Sequence, residues 1–236
     1  MPIKHLRTVG DGFCFNHHWP MWSRLLAEIL NSEWKNFSLP GLGNEAIANI
    51  VIDQLESETL PDTLWVIQWA EPRRVDFRVD SADSDILKRA EQDPIYYKNF
   101  ITTASGRRYW SSSASIQPWV QEHRDLLSAE QYQDRDRLYM LAVESMLKKF
   151  QTKYCFISTP EMAKFRRSSQ YFYLDVKEIQ PVSSIHLDFL EQFVLPGLEF
   201  DQKRLDTVKE KIIAQDTERK NSNSYIPWDR NMYKRI

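Results

Sequence analysis

Apolar positions along the first 70 residues follow two periods, and each change of period marks an element. Ile3 to Val9 is a short strand-like run that Gly10-Asp11-Gly12 breaks. Trp19, Trp22, Leu25, Leu26, Ile29 and Leu30 then recur at spacings of three and four with Pro20 near the start, which predicts a helix laying one apolar stripe on that strand. Asn36 to Leu39 reads as a second strand and Pro40-Gly41-Leu42-Gly43-Asn44 as the turn after it. Ile47, Ile50, Val51 and Leu55 form the inner face of a second helix. Leu64-Trp65-Val66-Ile67-Gln68-Trp69 is apolar with little alternation, as expected of a central strand covered on both faces. Strands and helices taken in turn predict a mostly parallel sheet.

From Ala70 to about Gln133 the periods fade among charges, Pro94, Pro118 and the polar run Thr102 to Ser115. This stretch reads as a long, partly helical insertion after the third strand, centred on residues 78 to 133. Asp134 to Phe150 recovers a helix with Leu138, Leu141, Ala142, Ser145 and Met146 on its expected inner side. Lys153 to Ser158 is a further buried strand, Ile185 to Phe193 a docked helix, and Gln202 to Lys220 a charged helix with few apolar residues. The expected fold class is therefore α/β, in three α/β/α layers of SGNH or flavodoxin-like type. The main domain spans residues 1 to 200, and residues 201 to 236 add a charged helix and a tail. No repeat at solenoid periods interrupts this order.

Composition narrows the partners more than the fold. With 31 Lys and Arg against 33 Asp and Glu, the charge of −2 leaves no global footprint for nucleic acid. No run nears the roughly 18 apolar residues of a membrane span. The two cysteines, Cys14 and Cys155, are too few for a disulfide framework, and the chain starts without a secretory apolar run. A cytoplasmic, reducing location is the expectation. Only 6 Gly stand beside 8 Trp, 10 Tyr and 12 Phe, an excess of rigid rings that suits a large core or a contact surface.

The order strand, Gly10-Asp11-Gly12, helix opened by Trp19-Pro20, strand, Pro40-Gly41-x-x-Asn44, helix, apolar strand, then Trp69 and Arg74, resembles the GDSL or SGNH hydrolase superfamily, in particular its tailed-bacteriophage branch. The resemblance covers residues 3 to 77 and extends to 134 to 158 only in outline. It implies a serine after Gly-Asp and a C-terminal Asp-x-x-His acting together on esters. Here Gly12 stands at the serine position and has no side chain to attack with. The residues three before His5, His17, His18, His123 and His186 are Pro2, Cys14, Phe15, Val120 and Ser183, so no Asp-x-x-His exists. The family's third-block Asn is replaced by Gln68-Trp69.

Asp11, Gly12, Gly43 and Asn44 are thus read as a relic oxyanion region with structural duties. Asp11 is expected to accept backbone N–H bonds in its turn and Asn44 to cap the second helix. Cys14, near His17 and His18, is the one candidate for a displaced nucleophile, against its alternative as a core thiol between Phe13 and Phe15. His17, His18, Cys14 and Cys155 have no recognised ligand spacing, so neither metal nor cofactor is expected. Arg107-Arg108 beside Ser111-Ser112-Ser113 could fork onto an anion or simply form a solvated loop. Tyr96, Tyr97, Tyr109, Trp110 and Trp119 could stack on sugar rings or anchor the insertion. The tail carries Tyr225, Trp228, Arg230 and Tyr233, the residue types of interface hot spots, either for a protein partner or second copy or for folding back.

These features give as first expectation a non-catalytic SGNH-like protein acting in binding or assembly, as a structural or accessory part of a tailed-phage particle. The alternatives are an esterase or deacetylase with a displaced nucleophile, and a carbohydrate-binding module that grips a glycan.

Overall fold

Four of the strand segments anticipated from apolar runs, or displaced from them by a few residues, form one parallel sheet. In the computed structural model, which describes residues 2–11, 14, 21–39, 41–58, 60–79, 100–111, 118–158, 171–173 and 183–221, these are β1 (His5–Val9), β2 (Glu33–Asn36), β3 (Thr63–Gln68) and β7 (Lys153–Ser158). A fifth strand, β8 (Tyr171–Tyr173), joins beyond β7, giving the order β2-β1-β3-β7-β8 with every pairing parallel. The period of two along each strand sorts the side chains into two cores. Leu6, Leu64, Val66, Cys155 and Ile157 meet α1 (Trp22–Leu30), α5 (Ser183–Phe189) and α6 (Gln202–Asn221) on one face. Val9, Trp65, Ile67 and Phe156 meet α2 (Asn44–Ser57) and α4 (Ala129–Lys149) on the other. The molecule is an α/β fold with a parallel sheet flanked by helices on both faces.

Several boundaries differ from the sequence reading, each for a local reason. Asn31 takes a left-handed φ of 51° and ends α1, a conformation Asn tolerates better than most residues. The chain therefore turns at once into β2 at Glu33, not at Asn36. As an edge strand, β2 alternates exposed Glu33 and Lys35 with half-buried Trp34 and Asn36, so it carries no apolar run to read. Phe37 and Leu39, which supplied that run, lie beyond it and pack under α2.

The inner face of α4 is also not the one expected. Its Ser128–Gln131 capping box starts the helix at Ala129, five residues early. Tyr132, Asp136, Met140, Val143 and Leu147 are buried, while Leu138 and Leu141 are 66% and 41% exposed. A carboxylate on the core stripe disguised that stripe.

The insertion is partly helical, as expected, in α3 (Pro118–Asp125), and among the described residues it also carries a small antiparallel sheet that the sequence reading did not anticipate: β4 (Asp76–Arg78), β6 (Arg108–Ser111) and β5 (Phe100–Thr102). Strands of three or four residues are too short to show a period. The expected helix over 185 to 193 is α5 continued by a π-helical turn, Leu190–Val194, and a 3-10 turn, Leu195–Gly197. Leu205, Val208 and Ile212 put the few apolar residues of α6 on one stripe, which closes the core shared with α1 and α5.

Candidate functional site

In this strand order the chain leaves β1 through α1 towards β2 on one face, then crosses through α2 on the other face to β3. Connections that diverge in this way make the carboxyl ends of β1 and β3 the position at which open α/β sheets generally bind ligands. Gly10-Asp11, Gln68-Trp69-Ala70, the loop after β3 and the start of α2 meet there.

The Asp11 carboxylate is 2.8 Å from Arg74 Nη1 and accepts a 2.6 Å bond from Gln68 Nε2. Gln68 Oε1 in turn accepts from the indole N–H of Trp22 at 3.2 Å. In the turn itself the Asp11 backbone carbonyl accepts from Cys14 N–H at 3.0 Å; the expected bonds from turn N–H groups to its carboxylate involve residues 12 and 13, which lie outside the described residues. The buried carboxylate faces a guanidinium, a charge-assisted contact stronger than one between neutral groups. Gly10 permits this approach, since a Cβ there would lie 2.7 Å from Gln68 Cβ.

Asn44 is not the cap. Gly43 is the N-cap residue of α2, and the capping oxygens come from the insertion: Asp76 Oδ1 accepts from Gly43 N–H at 2.8 Å and Oδ2 from Ala46 N–H at 2.9 Å. A Cβ on Gly43 would meet Asp76 Oδ2 at 2.5 Å, so the glycine makes room for the carboxylate. Burial pushes the Asp76 carboxyl up to about 6, against the pull of its two N–H bonds. Asn44, freed from capping, ties three elements together. Its Oδ1 accepts from Ala70 N–H at 2.7 Å, and its Nδ2 donates to Ala70 O at 3.1 Å and to Asp136 Oδ2 at 2.8 Å.

Asp136 is fully buried, and burial raises its pKa while Arg135 opposes the rise. Arg135 donates to Asp136 Oδ1 from Nε at 2.9 Å and from Nη2 at 2.7 Å, and to Arg74 O at 3.1 Å. Of this network, Arg74 was legible as the second half of the Trp69 motif. Asp76, Arg135 and Asp136 were missed; the break in the apolar stripe of α4 at Asp136 was the available signal. Trp69 itself is buried edge-on against Phe156, with centroids 5.5 Å apart.

Cys14 is fully buried and burial pushes its thiol up to about 12, so at neutral pH it is no thiolate. Its carbonyl is fixed by Ser23 Oγ at 2.9 Å and Asn36 Nδ2 at 3.0 Å. The core alternative for Cys14 accounts for this placement, and the displaced-nucleophile alternative does not. Arg107 is engaged by Asn49 at 2.5 Å and Asp53 at 3.4 Å on α2, so it holds the insertion to the domain; Ser112 and Ser113 of the same expected cluster lie outside the described residues. Tyr109 and Trp110 are buried anchors, and Trp110 stacks on half-buried Trp119 at 5.5 Å. Gly12, His17, His18, Tyr96, Tyr97, Tyr225, Trp228, Arg230 and Tyr233 lie outside the described residues.

Among the described residues, then, the ends of β1 and β3 bring together carboxylates, amides and guanidiniums bonded to one another. No helix of the described residues is long and apolar enough to cross a membrane. No protein-family model matches the chain, and no curated protein and no solved structure matches it.

Proposed function

We propose that this chain is a non-catalytic relative of the SGNH hydrolases that acts in binding or assembly, as a structural or accessory component of a tailed-phage particle. The observation that carries the reading is the junction of Asp11 with Arg74 and Gln68 at the ends of β1 and β3. Where the resemblance implies a nucleophile followed by its helpers, Gly12 follows an aspartate bonded to the third block. The buried, protonated Cys14 weighs against a replacement nucleophile. Burial of Tyr109 and Trp110 weighs against a stacking platform for neutral sugars.

Hydrolysis of a chromogenic acetate ester by the purified chain, by Cys14→Ala and by Gly12→Ser tests the reading, with light scattering on the same samples. The expected result is no turnover in the original chain and a discrete assembly that shrinks when residues 222–236 are removed. Turnover by the original chain that disappears in Cys14→Ala would overturn it.

A further inference from the structure

Two stripes run along α4, and the fold of the single chain uses one of them. Tyr132, Asp136, Met140, Val143 and Leu147 are buried, while Leu138, Leu141, Ala142 and Ser145 repeat at spacings of three and four on the opposite side. All four of these are exposed, Leu138 by 66% and Leu141 by 41%. A helix that packs only on its own domain turns a charged or polar face outward. This one carries two leucines and two small residues along the middle of its outer face, and no described element covers them.

The charges on the same line say what does. Leu138 lies three residues before Leu141 and Ser145 three after Ala142; Asp134 lies seven before Leu141 and Lys149 seven after Ala142. At 3.6 residues per turn these six positions fall within an arc of about 100° opposite the buried stripe. Asp134 and Lys149 are both exposed, and neither forms an ion pair with a described residue; Lys149 rests 5.4 Å from the ring centroid of Phe150. An acid and a base equally far from an apolar centre make a face that is its own complement when the helix is turned end for end.

We propose that this face binds a second copy of the chain, α4 against α4 in antiparallel order about a two-fold axis between Leu141 and Ala142. Leu138 then lies over Ser145 of the second copy, large against small, and Asp134 opposite Lys149, each contact made twice. Packed helices approach to about 8–10 Å, a separation that the small Ala142 and Ser145 accommodate. One helix from each copy buries less than the roughly 1,200 Å² of a standard interface, so the association is of the weak, reversible class. Denaturation curves of dilute protein therefore report the single copy. The contact goes beyond the proposed function and does not depend on it.

Sedimentation velocity of the chain from about 1 µM to about 1 mM, the span in which a weak interface fills, tests the contact. A monomer-dimer equilibrium is expected. Leu141→Glu, beside the two-fold axis, should leave monomer at every concentration, with the far-UV circular dichroism of the original chain because the position is exposed. Asp134→Lys and Lys149→Asp should each weaken the dimer about tenfold, since the symmetry turns both exposed ion pairs into pairs of like charge. Mixed in equal amounts, the two variants should recover the original affinity, because each supplies the charge that the other lacks. A chain that stays monomeric throughout, a dimer that Leu141→Glu leaves intact, or a mixture no more associated than its components would overturn the α4 pairing. An assembly dissolved by removing residues 222–236 and untouched by Leu141→Glu overturns this contact and leaves the proposed function standing; ester turnover by a chain that pairs through α4 does the reverse.

Discussion

Two buried ionisable groups on opposite sides of the sheet make the stability of this protein respond to acid in opposite directions. Asp76, under α2, has its pKa raised from 3.8 to about 6 by burial. His186, on α5, has its pKa lowered from 6.5 to about 4 by burial, against the attraction of Asp216. Neither ring nitrogen of His186 has a hydrogen-bond partner among the described residues. A raised carboxyl means that the folded state binds more protons than the unfolded one between about pH 4 and 6, so stability from Asp76 is full at acid pH and lost as pH rises through 6. A lowered imidazole means that the unfolded state binds the extra proton, so stability from His186 is full at neutral pH and lost as pH falls towards 4. Each pKa unit is worth about 1.4 kcal/mol, so moving from pH 7 to 4.5 gains about 2 kcal/mol at Asp76 and loses about 2 kcal/mol at His186. With respect to these two groups the original chain should be nearly indifferent to that change. Asp76→Asn keeps one oxygen on the α2 cap and cannot ionise, so it should lose about 2 kcal/mol more than the original chain on acidification. His186→Leu should instead become more stable by about that amount. Urea unfolding at pH 7 and 4.5, with the slope of each transition checked, reads both. If Asp76→Asn and the original chain have parallel pH profiles, burial does not dominate Asp76 and the reasoning fails.

Gly43→Ala would press a methyl group on the Asp76 carboxylate and loosen the α2 cap, so a loss of about 1–2 kcal/mol is expected from urea midpoints at neutral pH. Asn44→Ala removes three hydrogen bonds and exposes buried Asp136 on one side; about 3 kcal/mol should be lost, and a change near zero would mean that water replaces the amide. Leu147→Ala in the core should cost about 2–5 kcal/mol, whereas Leu138→Ala on the open face of α4 should stay within about 0.5 kcal/mol, a contrast that denaturation curves settle directly. Cys14 and Cys155, both buried and pushed up to about 12, should resist a disulfide reagent at pH 8 until urea unfolds the chain; fast labelling of Cys14 in the native state would revive it as a nucleophile.

How far the amino-acid order alone went follows from the range of the forces that each feature obeys. Leu64 to Ile67 announces a strand buried on both faces because its neighbours in sequence are all apolar, and the α1 stripe announces a helix because residues three and four apart must share a face. The absence of a serine after Asp11 is likewise a fact of sequence, and no folding can alter it. The true inner face of α4 was hidden because Asp136 belongs to it only by virtue of Asn44 and Arg135, which lie on α2 and next to it on the chain. The α2 cap could not be found by local rules either. Gly43 and Asp76 are 33 residues apart, and only the pairing of β4 with β6 brings the carboxylate under the helix. The antiparallel sheet of the insertion consists of strands of three and four residues whose stability resides in their partners, not in a pattern of their own. The ion-pair network is the extreme case: Asp11, Arg74 and the Arg135–Asp136 pair share no motif, and their charges meet only when α4 and the loop after β3 come to the ends of β1 and β3. Sequence determined the layers and excluded the serine, because both depend on neighbours along the chain. Tertiary structure decided where the charges converge, because electrostatic energy depends on distance in space and takes no account of the distance along the chain.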